Sequence, residues 1–337
     1  MNEKNFFKKE ECRTCLSKKI EQVFSLEPTP PGNNFLSKEM LGTKEQKYPL
    51  EINFCNNCFH IQLGHVVDPS ILFQNSYSYV SGTSQVFVNH LKEYSKYVID
   101  LLKIKKSSLI IDIGSNDGTC LEFFKNNGMR TLGVDPAKEV SEIASSKGIE
   151  TINDFFSVEL ANKILANYGS ADLITSHNAC AHIDKLDKII EGVEFLLSKN
   201  GIFIFEVGYF VDVFQNKWFD TIYHEHVDFH TVAPLITLFD RFNMEIIRVE
   251  RIKPQGGSIR VFTQKKGSKL KQDNSVQEVV NLEKSIGLNK PDTIIHFGIQ
   301  ISRIKDKFKT LLNNIKKSGE NIAAFGAPTK ATTLCHY

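Results

Sequence analysis

Large net charge, long apolar runs and a secretion signal are all missing from this sequence. Lysine and arginine total 41 against 39 acidic residues, so no charge excess points to nucleic acid or to an anionic membrane. No apolar run is long enough to span a bilayer, and Glu206 interrupts the best candidate. The opening residues, MNEKNFFKKE, contain no apolar core of a signal peptide. We therefore predict a cytoplasmic protein that binds neither nucleic acid nor a membrane.

Internal repeats and low-complexity segments are also missing, and the composition is that of an ordinary folded protein. With 337 residues, 41% of them hydrophobic, the chain is long enough for two or three domains with sizeable cores. Cysteine is sparse, at seven residues. In a chain without a signal peptide, these cysteines are interpreted as thiols or metal ligands rather than as disulfides.

Four of the cysteines form two C-x-x-C pairs, which predict a zinc site. Cys12 and Cys15 make the first pair, Cys55 and Cys58 make the second, and four thiolates can surround one ion tetrahedrally. Redox chemistry is the alternative for a single pair, but two pairs in tandem favour a metal. Because all four ligands are cysteine, no position is open for a catalytic water, so the zinc is predicted to be structural. Pro28, Pro30, Pro31 and Gly32, which lie in the gap between the pairs, are predicted to form a loop.

A buried strand, a glycine turn and a helix are predicted over residues 109–124. The strand is the apolar run LIIDI, and Gly114 and Gly118 allow a tight turn whose backbone approaches a ligand. Asp117 is placed to cap the helix, whose N-terminus attracts a nucleotide-like ligand. The spacing argues against the dinucleotide pattern G-x-G-x-x-G, because Asn116 occupies a position that needs glycine.

The pattern Asp-x-Gly-x-x-x-Gly in this turn resembles the first motif of class I methyltransferases, which use S-adenosylmethionine (SAM). This resemblance implies cofactor contacts from the strand end and the turn, at Asp112, Gly114, Asn116, Asp117 and Gly118. The next predicted strand ends in Asp135, about twenty residues past the turn, where such folds place a carboxylate on ribose hydroxyls. An unrelated strand–turn–helix and an ordinary acid at a strand end are the alternatives.

Strands and helices alternate after the glycine turn, which predicts a parallel sheet covered by helices on both faces. Strands are predicted at 109–113, 130–134, 149–152, 172–176 and 202–207, and helices at 119–127, 137–146, 158–167 and 185–197. A helix at 231–242 and two closing antiparallel strands, at 245–252 and 258–264, complete the domain.

Two further cofactor contacts are predicted where the third and fourth strands end. Asp154 and Phe155 follow the third strand, where adenine would lie, and an inward core position is the alternative for Phe155. Asn178 follows the fourth strand, at the edge where open α/β sheets bind ligands.

Titratable side chains crowd the segment after the fifth strand, Tyr223-His224-Glu225-His226. A structural loop has little need of this density, so a functional role is favoured over a structural one. A neutral histidine held by a neighbouring carboxylate is a usual general base.

Several motifs together resemble the SAM-dependent C-methyltransferases that act on nucleotide-linked ketosugars. They are the paired cysteine motifs, Tyr-x-Tyr-x-Ser from Tyr77, the SAM turn, Asn-x-x-x-His ending at His182, Tyr-His-Glu-His, Gly-Gly-Ser-x-Arg and Gly-Ala-Pro-x-Lys. The resemblance implies zinc on the four cysteines and a sugar site lined by Tyr77, His182, Tyr223, Glu225 and His226. It also implies a class I, Rossmann-like α/β fold, SAM as the cofactor and a nucleotide-linked ketosugar as the substrate.

The chemistry that this resemblance implies begins with the proton on the carbon beside the ketone. His226, oriented by Glu225, would remove it, and Tyr223 or His182 would hydrogen-bond the developing oxyanion. The enolate carbon would then attack the methyl group of SAM in line. Two alternatives stay open: an O- or N-methyltransferase acting on another small molecule, and a zinc-ribbon protein that modifies or binds nucleic acid.

Three domains are expected: a zinc-binding domain at 1–75, a methyltransferase domain at 76–266 and a C-terminal helical segment at 267–337. In the last of these, Pro291 begins a predicted helix, and residues 321–330 are predicted to form a strand that enters a glycine turn. Members of the family usually continue into a full Rossmann-like domain, of which this sequence contains only the opening. We therefore expect the start of a C-terminal α/β unit.

Overall fold

The N-terminal part of the chain is built from short antiparallel strands. The structure, a computed structural model, describes residues 5–33, 36–74, 79–326 and 328–337. The first strands are β1 (Phe6–Lys8), β2 (Ile20–Thr29), β3 (Tyr48–Cys55), β4 (Ile61–Leu63) and β5 (His65–Val67). Strand β1 pairs with β5, while β2, β3 and β4 form a second sheet.

The prediction of a loop at Pro28, Pro30, Pro31 and Gly32 is wrong for Pro28 and confirmed for the other three. Strand β2 includes Pro28, and β3 begins at Tyr48 and leads directly into Cys55. The pairing of β2 with β3 shifts register between Leu26 and Thr29, so Pro28 lies at an irregularity where its missing N–H costs no regular ladder bond. The prolines therefore mark the end of a strand rather than the absence of one.

Alternating elements make up the central part of the chain. They are α1 (Gln85–Leu102), β6 (Leu109–Ile113), α2 (Thr119–Asn126), β7 (Arg130–Val134), α3 (Lys138–Ser146), β8 (Thr151–Ile152), α4 (Val158–Tyr168), β9 (Ala171–His177), α5 (Leu186–Leu196), β10 (Leu197–Gly208) and α6 (Phe210–Asn216). After them come β11 (Asp228–Phe229), α7 (Val232–Asp240), β12 (Met244–Ile252) and β13 (Ser258–Lys265).

Seven of these strands form one mixed sheet in the order β12-β13-β10-β9-β6-β7-β8. Strands β8, β7, β6, β9 and β10 run parallel, and β13 is antiparallel to both β10 and β12. Apolar residues of these strands are buried on both faces of the sheet, which the helices cover. The class I methyltransferase fold predicted from the sequence is confirmed, including its antiparallel closing pair.

Two local predictions in this sheet need correction. Strand β8 is shorter than predicted because the amide of Ile149 bonds back to Ala144 O at the end of α3, which delays entry into the sheet. Asp117 is not the N-cap of α2: Gly118, at φ 75°, holds that position. The Asp117 carboxylate still lies close to the helix start, where its Oδ1 accepts from Thr119 Oγ1 at 2.7 Å.

A short strand from the central part of the chain completes the N-terminal sheet. Strand β11 pairs antiparallel with β4, so the order of that sheet is β11-β4-β3-β2. It directly follows the Tyr-His-Glu-His segment. The candidate catalytic residues are thereby tied to the cysteine-bearing sheet by backbone hydrogen bonds. The boundaries of the three predicted domains stay predictions.

The C-terminal part of the described chain is helical, with α8 (Asn274–Ile286), α9 (Pro291–Lys317) and α10 (Thr329–His336). Pro291 is at the first turn of α9, as predicted. The predicted strand over 321–330 is wrong: residues 321–326 are exposed, and no strand of the described ranges pairs with them to satisfy their backbone groups. Among the residues that the structure describes, no helix is long and apolar enough to cross a bilayer.

Candidate active site

A cavity of about 1280 Å³ opens at the carboxyl ends of the parallel strands. This is more than the roughly 300–1,000 Å³ of a pocket for one small ligand, so it has room for two reactants side by side. Residues of the glycine turn line one part of it, and the Tyr-His-Glu-His segment lines another. The predicted site residues on its wall are Gly114, Asn116, Asp135, Phe155, Asn178, His182, Tyr223, Glu225 and His226.

The side chain of Asp135, the predicted ribose ligand, is held in place by backbone amides. Its Oδ2 accepts from the amide of Asn116 at 2.8 Å, and its Oδ1 accepts from the amide of Ala137 at 2.9 Å. Burial raises the pKa of this carboxyl, and the two amide bonds oppose that shift. Each oxygen has a second lone pair, so the carboxylate can still accept from a ligand hydroxyl in the cavity.

The glycine turn fits a SAM-type ligand because it leaves buried polar atoms without partners. Asp112 Oδ1 and Ser115 Oγ are buried and have no hydrogen bond among the described residues. Burial raises the pKa of Asp112 to about 7, a shift that a cationic group nearby would reverse. Gly114 has φ 74°, and a Cβ there would lie 2.6 Å from Ala179 Cβ, so only glycine fits the turn.

Three residues predicted to bind the cofactor make contacts within the protein. Asp117 Oδ2 pairs with Lys147 at 2.7 Å, behind the turn. A Cβ on Gly118 would meet Ala144 at 3.1 Å, so this glycine serves close packing of α2 on α3. Asp154 Oδ1 accepts from the amide of the next residue at 2.8 Å. Direct cofactor contact by these three stays a prediction, and the structure does not place them on the cavity wall.

His226 has both ring nitrogens fixed. Its Nδ1 lies 2.8 Å from Thr221 O, and its Nε2 lies 2.9 Å from the hydroxyl of Tyr223. Because a carbonyl only accepts, Nδ1 carries the proton in the neutral ring, and Nε2 accepts from the Tyr223 hydroxyl. Burial lowers the pKa of His226 to about 4, so the ring is neutral at pH 7 and has a lone pair on Nε2.

The expectation that Glu225 orients His226 is wrong, because Thr221 O occupies the nitrogen that Glu225 would have to hold. Glu225 Oε1 instead accepts from Asn33 Nδ2 at 2.6 Å, and its Oε2 lies 4.0 Å from His182 Nδ1. Burial raises the pKa of Glu225 to about 7, and the Asn33 bond opposes that shift. Glu225 is thus a buried carboxyl poised to hold or release a proton near neutral pH.

The side chain of His182 packs against His226, whereas that of His224 contacts the N-terminal sheet. The ring of His182 packs edge-on against that of His226, with centroids 4.9 Å apart, and burial holds the pKa of His182 well below its usual value. His224 turns the other way, toward the N-terminal sheet, where its Nε2 lies 3.2 Å from Tyr48 O. Of the histidines in the Tyr-His-Glu-His segment, His226 therefore faces the cavity.

Tyr77 lies outside the described residues. From Tyr79, where the described chain resumes, the backbone is anchored to the glycine turn: the amide of Ser81 donates to Asn116 Oδ1 at 2.8 Å, and Asn116 Nδ2 donates to Tyr79 O at 3.0 Å. Both Tyr79 and Ser81 are on the cavity wall. The role of Tyr77 stays a prediction.

Sequence reasoning missed a buried ionic network beneath the cavity. Glu206 Oε2 accepts from His90 Nε2 at 2.7 Å and lies 3.1 Å from His177 Nδ1, while Glu206 Oε1 accepts from Arg260 Nε at 2.7 Å. Burial alone would raise the pKa of Glu206, but His177, His90 and Arg260 outweigh it and hold that pKa well below its usual value. A glutamate within an apolar strand was the available signal, since a buried charge needs partners.

Each C-x-x-C pair forms a cysteine knuckle, the first at Cys12–Cys15 and the second at Cys55–Cys58. The four cysteines of the two knuckles converge on one point. Their sulfurs all lie within 4.8 Å of one another, with Cys12 and Cys58 at 3.5 Å and Cys15 and Cys55 at 3.6 Å. Sulfurs bound tetrahedrally at about 2.3 Å from a central ion are roughly 3.8 Å apart, so this arrangement fits zinc. The hydroxyl of Thr14 lies within 3.2 Å of two of the sulfurs, a typical second contact of thiolate ligands.

Comparison with known protein families agrees with this geometry. Residues 12–73 match a family described as a zinc binding domain, residues 84–249 match a methyltransferase domain, and residues 253–337 match a C-methyltransferase C-terminal domain. The C-methyltransferase NovU of Streptomyces niveus is 31% identical over 325 residues, which are 96% of this chain and 77% of NovU. The chain belongs to the SAM-dependent C-methyltransferase family. The activity of this family is SAM-dependent methyl transfer to carbon.

Solved structures that resemble part of this C-methyltransferase family member include those of three proteins. The YcgJ protein of Bacillus subtilis has 16% identity and a TM-score of 0.42, over 53% of this chain and 100% of that one. A SAM-dependent methyltransferase of Clostridium acetobutylicum has 14% identity and a TM-score of 0.43, over 53% of this chain and 92% of that one. Magnesium protoporphyrin IX methyltransferase of Synechocystis, with bound SAM, has 13% identity and a TM-score of 0.40, over 57% of this chain and 86% of that one.

Proposed function

We propose that this protein transfers a methyl group from SAM to a carbon beside the carbonyl of a nucleotide-linked ketosugar. The observation that carries the proposal is His226, a neutral histidine whose tautomer is fixed, whose Nε2 accepts from the Tyr223 hydroxyl and whose side chain lines the same cavity as the glycine turn. Methylation of carbon requires a base for a carbon-bound proton, whereas methylation of an amine does not.

In the proposed reaction, the Tyr223 hydroxyl turns from His226 Nε2 to the carbonyl oxygen of the ketosugar, and Nε2 takes the proton from the carbon next to the ketone. The electron pair of that C–H bond forms a carbon–carbon double bond, and the π pair of the carbonyl moves onto its oxygen, giving an enolate. Tyr223 and His182 flank His226 and are the candidates for stabilising the oxyanion, together with Glu225 in its protonated form. When bound, SAM would supply an electrophilic methyl group: the enolate carbon would bond to it as the bond between the methyl group and sulfur breaks, which leaves S-adenosylhomocysteine and a new carbon–carbon bond.

The low pKa of His226 has two consequences for this scheme. It keeps the ring unprotonated at neutral pH, but it also makes the free ring a weak base. An enolate forming beside the ring would offset the cost of burying the imidazolium, because opposite charges attract strongly in a site without water. The base is thus strengthened as the negative charge develops.

We propose a structural zinc ion on Cys12, Cys15, Cys55 and Cys58. The support is the convergence of the four sulfurs and the match to a zinc binding domain. With four thiolates, the ion has no open coordination position, so it would supply folding energy and no catalytic step.

The proposed function is tested by mass spectrometry of methyl transfer to a panel of nucleotide-linked sugars. Each ketosugar is paired with a control in which the ketone is reduced to an alcohol, because reduction removes the acidity of the neighbouring carbon. We expect a gain of one methyl group on a ketosugar and none on its reduced partner. Methylation of both members of a pair would instead indicate an O-methyltransferase, and methylation of none would refute the substrate class.

A further inference from the structure

The side chain of Arg13 runs from the first cysteine knuckle into the wall of the candidate active site. Arg13 is 1% exposed and lies between the proposed zinc ligands Cys12 and Cys15. Its Nη1 donates to Leu63 O at 2.8 Å and to Val227 O at 3.2 Å, and its Nε donates to Asp184 Oδ1 at 2.9 Å. A buried guanidinium is costly unless it is paired, so these bonds fix where it lies.

The partners of Arg13 belong to the two segments that carry the cavity histidines. Val227 directly follows His226, and Asp184 is two residues past His182. The two segments are also joined to each other, because the amides of Val227 and Asp228 donate to Ala181 O at 2.9 and 3.3 Å. Arg13 thus binds both the segment that carries His182 and the segment that carries His226. The relative position of these two segments sets the contact between the two imidazole rings.

We propose that Arg13 is a positioning residue that couples the cysteine knuckle to His182 and His226. Its planar guanidinium presents several donors in a rigid fork, and a lysine in the same place can hold only part of this set. Loss of the fork would remove one donor from Asp184 and from each of the two carbonyls, and would loosen the attachment of the two segments to the first knuckle. The catalytic consequence rests on the proposed function, but the structural coupling does not.

A second arginine provides a matched control. Arg241, at the end of α7, also reaches the first knuckle, where its Nη1 donates to Thr14 O, and its Nη2 lies 3.8 Å from Asp187 Oδ2. Neither contact involves the segment that carries His226. Arg241→Lys therefore weakens the attachment of the knuckle to the central domain without touching that segment.

The coupling is tested in Arg13→Lys and Arg241→Lys by NMR of the imidazole nitrogens and by hydrogen exchange, neither of which needs substrate. We expect Arg13→Lys to shift the His182 and His226 signals and to speed exchange at the Val227 and Asp228 amides, while zinc content stays at one per chain. Arg241→Lys should change neither. Unaltered histidine signals and exchange in Arg13→Lys, or equal changes in both variants, would overturn the proposal. If Arg13→Lys loses zinc, Asp184→Asn replaces it and carries the same expectation.

The effect on catalysis is measured by steady-state kinetics with the ketosugar that is methylated in the mass-spectrometric panel. Because misplacement by about 1 Å can cost a hundredfold in rate, we expect kcat to fall by about tenfold to a hundredfold in Arg13→Lys, with KM and SAM affinity changed much less. Arg241→Lys should stay near the wild type in all three. An unchanged kcat would remove the catalytic part of the proposal. If the wild-type protein methylates no ketosugar, the proposed function fails, and the NMR and exchange results still decide the coupling.

Discussion

The cysteine knuckles and the cavity lined by His182 and His226 both concentrate reactive side chains. They differ in whether those side chains converge on one point or surround an open space. The four cysteine sulfurs lie within 4.8 Å of one another and point at a common centre. The side chains of His182, Glu225 and His226 instead line a cavity of about 1280 Å³.

This difference separates a group of side chains that stabilises the fold from one that is available for chemistry. Four thiolates around one ion leave no position for a substrate. In the cavity, burial moves the pKa of Glu225 up to about 7 and that of His226 down to about 4, which brings a partly protonated carboxyl and a neutral imidazole together at neutral pH. Such displaced pKa values in a cleft are typical of catalytic sites.

The largest expected effect comes from breaking the knuckle. Cys55→Ser should abolish zinc binding and unfold the N-terminal sheet, because structural zinc contributes about 10–16 kcal/mol to the folding of small zinc domains. Metal analysis and circular dichroism measure the two effects. Cys335→Ser, at an exposed free cysteine, is the control and should keep one zinc per chain. Zinc retained in Cys55→Ser would refute the four-cysteine site.

The next effect comes from removing the proposed base. His226→Asn should slow methyl transfer by about a hundredfold to ten-thousandfold, the usual cost of losing a general base, with SAM affinity nearly unchanged. His224→Asn is the matched control, since its ring faces Tyr48, and it should retain most of the turnover. Near-normal turnover in His226→Asn would assign the base to another residue.

A smaller effect is expected at the cofactor end of the cavity. Asp135→Ala should weaken SAM binding by about 1–3 kcal/mol, the range for losing hydrogen bonds to a charged group. Glu142→Ala, which removes a carboxylate of α3 whose side chain is 68% exposed, should leave SAM affinity close to that of the wild type. Calorimetry decides between them, and equal losses in both variants would contradict the placement of Asp135 as the ribose ligand.

The smallest effect concerns the pH dependence of stability. Because the pKa of Glu225 rises from 4.5 to about 7 on folding, the folded protein binds a proton that the unfolded chain has lost between these pH values. This group therefore makes the free energy of unfolding decrease as pH rises from about 4.5 to 7, by on the order of 1–3 kcal/mol. Denaturant titrations of wild type and Glu225→Gln should show the variant gaining relative stability over that range. A pH-independent difference would mean that Glu225 is ionised in the folded protein.

The sequence predicted β6 and β7 to the residue, because β6 is an apolar run that ends at the glycine turn and β7 ends directly before Asp135. It also predicted the cysteine pairs, since their spacing alone specifies the ligand set. It did not predict that Glu225 bonds Asn33, because those residues are 192 positions apart and only the packing of the two sheets brings them together. The direction of His224, away from the cavity, likewise depends on β11 joining the N-terminal sheet.

The strand predicted over 321–330 was wrong for a related reason. Its sequence has the apolar run and glycine of a strand entering a turn, yet a strand also needs a neighbour for its backbone bonds. Residues 321–326 have none among the described residues, and only the helix from Thr329 onward forms. Local pattern predicts which residues favour a strand, and tertiary pairing decides whether it forms.

The central claim is that the methyl group goes to carbon, and the position of that group in the product tests it most directly. The protein is incubated with the ketosugar and SAM labelled with ¹³C in its methyl group, and the purified product is examined by carbon–proton correlation NMR. The account predicts a labelled methyl group bonded to the ring carbon beside the carbonyl. A labelled methyl group on oxygen or nitrogen would contradict it.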